Sequence, residues 1–141
     1  NGCESADIFA AIAPVAGVLG IADEDCQPVR PIPVMHFHGT NDLLVPYEGG
    51  GLLQTPSVPD TDAGWATRNG CSGDAVSTFQ NGDAHCETHQ TCADGVEVTL
   101  CTIEGEGHCW PGQASCPYGA SNTDIDANAE MWKFFDKFSL P

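Results

Sequence analysis

Apolar residues gather along the chain in short runs broken by turn formers, with two stretches of helical spacing between and after them. Ile8 to Val15 is nearly continuous in apolar residues and ends at Ala16-Gly17. It predicts a buried strand, with Glu4 to Asp7 closing a helix or turn before it. Pro33 to His38 is a second strand, placing Val34, His36 and His38 on one face and Met35 and Phe37 on the other; Gly39 and Thr40-Asn41-Asp42 end it. Val96 to Ile103 alternates Val96, Val98 and Leu100 against Glu97, Thr99 and Cys101, a third strand stopped by Glu104-Gly105. A helix is predicted from about Asp60 to Arg68, stopped by Asn69-Gly70. A second runs from about Asp124 to Phe138, with Ile125, Ala129, Trp132 and Phe135 on one core-facing stripe and Met131, Phe134 and Phe138 beside it. Asn122 or Thr123 is the expected cap, and Asp124 and Asp126 suit the positive end of the helix dipole. Residues 72–95 are polar and rich in turn formers, with Asn81-Gly82 as a hairpin turn.

Strands separated by helices or long connections point to an α/β fold, with three mostly parallel strands and flanking helices. Residues 1–141 are short for more than one domain, and 41% apolar against 17% charged residues allows a packed core. Four basic against 20 acidic side chains give a net charge of −16, which excludes phosphate backbones and anionic membrane surfaces as partners. The longest apolar stretch, Ile8 to Leu19, contains Pro14 and Gly17 and falls short of a membrane span. The chain opens at Asn1 without Met or a basic leader and reads as a mature or cut-down segment.

Eight cysteines stand at Cys3, Cys26, Cys71, Cys86, Cys92, Cys101, Cys109 and Cys116, with no Cys-x-x-Cys among them. An even number without that spacing favours disulfides in an oxidising compartment, so the protein reads as secreted or periplasmic. His85, Cys86, His89 and Cys92 form one candidate metal cluster, but their spacing matches no common zinc pattern and the two cysteines fit a bridge equally well. Asp60/Asp62 and Asp124/Asp126 begin like calcium loops, yet the twelfth positions are Cys71 and Phe135 rather than Glu. Neither a metal nor a cofactor is expected.

Functional residues of parallel sheets sit in loops past the carboxyl ends of the strands. The second strand is followed by His38-Gly39-Thr40-Asn41-Asp42-Leu43-Leu44-Val45-Pro46-Tyr47, and the third by Gly105-Glu106-Gly107-His108-Cys109-Trp110-Pro111-Gly112. A carboxylate on one loop and an imidazole on the next are the two supporting members of a nucleophile–His–acid triad: the acid fixes the imidazole tautomer, and the imidazole takes the nucleophile's proton. Asp42 and His108 are the candidates. Tyr47 and Trp110 are candidate substrate contacts, while His36 and His38, at strand-end positions, read as hydrogen-bonded structural residues.

In this order, His-Gly-Thr-x-Asp-x-x-Val-Pro-Tyr over residues 38–47 and Gly-His-x-Trp-Pro-Gly over residues 107–112 resemble the polyhydroxybutyrate depolymerase and feruloyl-esterase-like branch of the α/β-hydrolases. The resemblance covers nearly the whole chain, thinning over residues 48–60 and 74–91. It implies that Asp42 is the triad acid and His108 the triad base. It also implies a Ser in a Gly-x-Ser-x-Gly elbow upstream of both, and none of Ser5, Ser57, Ser72, Ser77, Ser115, Ser121 or Ser139 stands in such an elbow. The chain then corresponds to the C-terminal portion of an esterase catalytic domain, acting on polyester, feruloyl or acetyl ester bonds. The same resemblance implies Cys3–Cys26 and Cys71–Cys92 disulfides; Cys109–Cys116 is favoured as a short loop closure beside His108, which leaves Cys86–Cys101. The competing readings are a cysteine-rich secreted binding module without catalysis and a zinc domain on the His85 cluster. Oligomeric state is left open.

Overall fold

Parallel strands covered on both faces are buried end to end, and Val34–Gly39 (β1) is buried at every position. In the computed structural model, which describes residues 2–141, β1 is one of four strands in a single sheet. The others are β2 (Val76–Asn81), β3 (Ala84–His89) and β4 (Val98–Ile103), in the order β1-β4-β3-β2. β1 pairs with β4 in parallel, Val34 opposite Val98 through Gly39 opposite Ile103. β4–β3 and β3–β2 are antiparallel.

Helices α1 (Val58–Arg68) and α2 (Ala127–Phe135) cover opposite faces. Trp65 of α1 packs with Val34, Val98, Ile32 and the Cys3–Cys26 pair; Met131 and Phe134 of α2 pack with Met35, Phe37, Cys101 and Ile103. Ser57 caps α1, accepting the Asp60 amide at 3.1 Å while its hydroxyl donates to the Asp60 carboxylate at 2.7 Å. Asn69, fully buried just after α1, accepts from the Ile32 amide and donates to the Ile32 carbonyl, at 3.0 and 2.7 Å, and so fixes the entry to β1. Among the described residues, no helix is long and apolar enough to cross a membrane.

The architecture is a four-stranded mixed sheet rather than three parallel strands. The expected strand at Ile8 to Val15 forms only two isolated parallel bridges to β1, Ile12 to Val34 and Val15 to Phe37. Ile12 donates to Pro33 and accepts from Met35, Pro14 accepts from Phe37, and Ala16 donates to Phe37. The rung missing from that ladder is the amide proline does not have, at Pro14. The polar stretch after α1 contains not merely a turn at Asn81-Gly82 but a whole hairpin, β2–β3. Its register shifts between Ser77 and Phe79, so that Ser77 opposes Glu87 but Phe79 opposes Cys86. The extra residue, Thr78, swings Phe79 onto the core face beneath α2.

The C-terminal helix is rotated relative to expectation. It begins at Ala127, capped by Asp126 through the Ala129 amide at 3.1 Å, not by Asn122 or Thr123. Ile125 therefore precedes the helix, and its buried stripe is Ala127, Met131 and Phe134, with Phe138, past the helix end at Phe135, only partly buried against it. Trp132, expected in the core, is 74% exposed. Phe135 is half-buried against the edge of the cluster.

The four disulfides are Cys3–Cys26, Cys71–Cys92, Cys86–Cys101 and Cys109–Cys116. Cys86 and Cys101 face each other across β3 and β4. With Cys86 and Cys92 bridged, the His85 cluster loses its thiolates, and the zinc reading fails on that ground.

Truncating Phe134 to Ala should destabilise the fold by about 3–5 kcal/mol, whereas Trp132→Ala should change stability by no more than about 0.5 kcal/mol. Urea unfolding with the disulfides intact measures both.

Candidate active site

The loops that leave β1 and β4 at the same end of the sheet are laced together before any side-chain chemistry is considered. The Thr40 amide donates to the Ile103 carbonyl and the Asn41 amide to the Glu106 carbonyl, both at 2.9 Å. The Thr40 hydroxyl donates to the Glu104 carboxylate at 3.0 Å and accepts from the Gly105 amide at 2.9 Å. Two glycines make the approach possible: a Cβ on Gly39 would stand 2.2 Å from the Glu106 carbonyl oxygen, and one on Gly107 2.6 Å from that of Tyr118.

Asp42 and His108 meet across this seam. Asp42 is 3% exposed, and its Oδ1 accepts the Leu44 and Val45 amides, each at 2.8 Å. Its Oδ2 accepts from His108 Nδ1 at 2.8 Å and lies 3.4 Å from His38 Nε2. A carboxylate only accepts, so the neutral His108 ring carries its proton on Nδ1 and leaves Nε2 bare. That ring is partly exposed and opens on a cleft of about 320 Å³, which Val15, Ala16, Trp110, Pro117 and Tyr118 help to line. An oriented imidazole with an unprotonated Nε2 beside a cleft is equipped to accept a proton from a nucleophile.

No family model matches the chain. Among curated proteins it is similar to feruloyl esterase B of Piromyces equi, 35% identical over 151 residues that take in 99% of this chain and 25% of that protein. It is also similar to the bifunctional acetylxylan esterase/xylanase XynS20E of Neocallimastix patriciarum, 27% identical over 143 residues, 96% of this chain and 17% of that protein. The chain thus spans a quarter or less of the length of either relative. Both are named as esterases, and the similarity supports an esterase family.

The two residues singled out as substrate contacts part company. Trp110, 43% exposed, lines the cleft with His108. Tyr47 does not line it: its hydroxyl bonds Thr102 Oγ1 at 2.8 Å and its ring stands edge-on to His38 at 6.1 Å. Burial raises the Tyr47 pKa above its usual value. The Cys109–Cys116 bridge closes the loop that carries His108, and Tyr118 accepts the His108 amide through its carbonyl while its ring sits 6.3 Å from the imidazole.

Three contributors escape sequence reading. Ala16 holds φ at 50°, a left-handed conformation unusual for a residue with a Cβ, on the wall of the cleft. Tyr118 follows the Cys109–Cys116 loop, and only the fold shows that its carbonyl takes the His108 amide and its ring stands beside the imidazole. Glu106, two residues before His108, looks like loop surface in the sequence but is 1% exposed. Its Oε1 accepts the Asn122 amide at 3.1 Å, while its buried Oε2 has no partner among the described residues. The Gly-x-Gly frame around it is the available hint, since glycine on both sides marks tight packing.

Burial pushes the Glu106 carboxyl up from 4.5 to about 7, partly offset by the Asn122 amide. A pKa raised in the folded state means that the native protein keeps a proton the unfolded chain releases, so stability falls as pH rises from about 4.5 to about 7 and is level above that. Glu106→Gln should therefore gain on the parent protein progressively across that window, with no further gain above it. Urea midpoints over a pH series measure the difference.

Proposed function

We propose that the chain is the acid–base portion of a serine carboxylic-ester hydrolase of the α/β-hydrolase type. The observation that carries this reading is the Asp42–His108 couple: a buried carboxylate bound to Nδ1 of an imidazole that faces a cleft, each on a loop past the C-terminal end of adjacent parallel strands. In the proposed reaction a serine hydroxyl attacks the ester carbonyl and passes its proton to His108 Nε2, while Asp42 stabilises the resulting imidazolium. The imidazolium then protonates the leaving alcohol. Water, deprotonated by the same Nε2, hydrolyses the acyl-enzyme.

The nucleophile is proposed to come from sequence outside these 141 residues. In support, no serine stands in an elbow motif, and no serine hydroxyl bonds His108 among the described residues. The outer side of the Ile12–Ala16 segment, with Ile8 63% and Phe9 49% exposed nearby, is where further strands of such a sheet would pair. A largely aromatic and aliphatic cleft and a net charge of −16 favour uncharged ester substrates, polyhydroxyalkanoate-like polyesters or feruloyl and acetyl esters of plant polysaccharides, over anionic polymers. Four disulfides support an extracellular or periplasmic location.

The test uses an unactivated ester, methyl ferulate or a hydroxybutyrate oligomer. The 141-residue chain alone should not turn it over. The chain continued upstream in its own coding sequence should, with Asp42→Asn costing on the order of 10⁴ in kcat and His108→Ala abolishing the triad's contribution. Turnover by the chain alone that vanishes in Ser115→Ala, the serine on the cleft wall, would overturn the proposal.

A further inference from the structure

Behind Asp42 lies a second pair of imidazoles that the proposed reaction does not use. His36 and His38 are successive residues on the α1-facing side of β1, each 1% exposed. His36 Nε2 and His38 Nδ1 are 3.1 Å apart. His38 Nε2 lies 2.9 Å from the Val45 carbonyl oxygen and 3.4 Å from Asp42 Oδ2.

These contacts determine where the protons are. Val45 offers a carbonyl and Asp42 a carboxylate, both acceptors only, so His38 must carry its proton on Nε2. In the neutral ring Nδ1 is then an acceptor, and His36 must donate to it from Nε2. The result is a one-way chain: His36 N–H to His38, His38 N–H to Val45 and Asp42, and the Val45 amide back to Asp42 Oδ1. Val45 is gripped at both ends of its residue, the amide by Asp42 and the carbonyl by His38. We propose that the buried His36–His38 pair is a positioning element for the Asp42–His108 couple, holding the 42–45 turn so that Asp42 presents Oδ2 to His108.

The proposal rests on reading Asp42 and His108 as acid and base, but the proton positions it requires are independent of that reading. The ionisable groups that face the pair are Asp42 and His108 from the two loops and Tyr47 from beyond Pro46; Thr102 of β4 lies opposite His38 in the sheet and is uncharged. Burial is the main cause that lowers both imidazole pKa values, His36 to about 3 with a push from His38. For His38, the Val45 bond and the Asp42 charge pull the other way without overcoming it. Both shifts favour the neutral rings that the one-way chain requires.

Long-range ¹H–¹⁵N spectra of the labelled 141-residue chain test this directly. His36 and His38 should both appear as neutral Nε2–H tautomers from about pH 8 to about pH 6, the range in which an ordinary histidine charges. His38 protonated on Nδ1, or either ring titrating in that range, overturns the proposal. His36→Leu removes the terminal donor and should make the Val45 amide exchange about tenfold faster, the worth of one hydrogen bond, and weaken the low-field proton signal of His108 Nδ1. His36→Gln, which keeps a donor, should restore both. An unchanged Val45 amide and His108 signal in a folded His36→Leu protein also overturns the proposal; if that variant does not fold, the tautomers of the parent chain decide. Absence of a low-field His108 Nδ1 proton in the parent chain would count against the Asp42–His108 reading itself, and the tautomers would still be read separately.

Discussion

A carboxylate taken out of water must be given donors to replace the ones it loses, or it will not stay ionised or stay buried. Asp42 receives two amides from its own turn on one oxygen and an imidazole on the other, with a second imidazole at longer range. Each of those donors exists only if a larger piece of structure is in place. The amides require the 42–45 turn, the His38 contact requires β1 to end where it does, and His108 requires the β4 loop to lie against the β1 loop. The seam of backbone bonds between Thr40-Asn41 and residues 103–106, and the close pass at Gly39, are the geometry by which that requirement is met.

The same end of the molecule holds several departures from ordinary protein chemistry. A carboxyl with an unpartnered oxygen at Glu106, a left-handed alanine at position 16 and two fully buried histidines all lie within the loops and strand ends around His108. Irregular features also occur elsewhere: Gln54 and Asp94 hold left-handed φ, and Arg30, Asp62, Arg68 and His89 each bury a polar atom with no partner among the described residues. Strain and buried polarity both cost stability and survive only where the surrounding structure holds them.

What the sequence makes legible follows from how each element is buried. β1 and β4 read clearly, β1 as a short run ended by Gly39 and β4 by its alternation up to Glu104-Gly105, and α1 by its Asn69-Gly70 stop, although the Ser57 cap that starts it two residues early goes unread. β2 does not announce itself: apart from Phe79 it is exposed, so no alternation marks it, and the bulge at Thr78 breaks what period remains. The buried face of α2 is misphased because Ile125, apolar and well spaced, is counted as helical when the chain is still extended there. At the site, the placement of Asp42 and His108 after consecutive parallel strands is visible in the pattern of runs and loops. The histidine pair behind them is visible only as buried polar residues, since which nitrogen bonds which atom depends on the turn at Val45. The environment of Tyr47 is hidden for the same reason: its position in the loop says nothing of the bond its hydroxyl makes to Thr102 on β4.

The bulge in β2 has a bearing on how this molecule behaves among others of its kind. β2 forms the outer edge of the sheet, and an exposed edge with regular spacing is a template on which a neighbouring chain can lay down another strand. Here the extra residue breaks the repeat in the middle of a strand of six residues, and Thr78 turns its hydroxyl inward to Thr88. A would-be partner strand finds no unbroken row of amides and carbonyls to match. The residue that carries Phe79 into the core thus also spoils the edge for strangers, a safeguard for a protein whose sheet would otherwise end in an open flank.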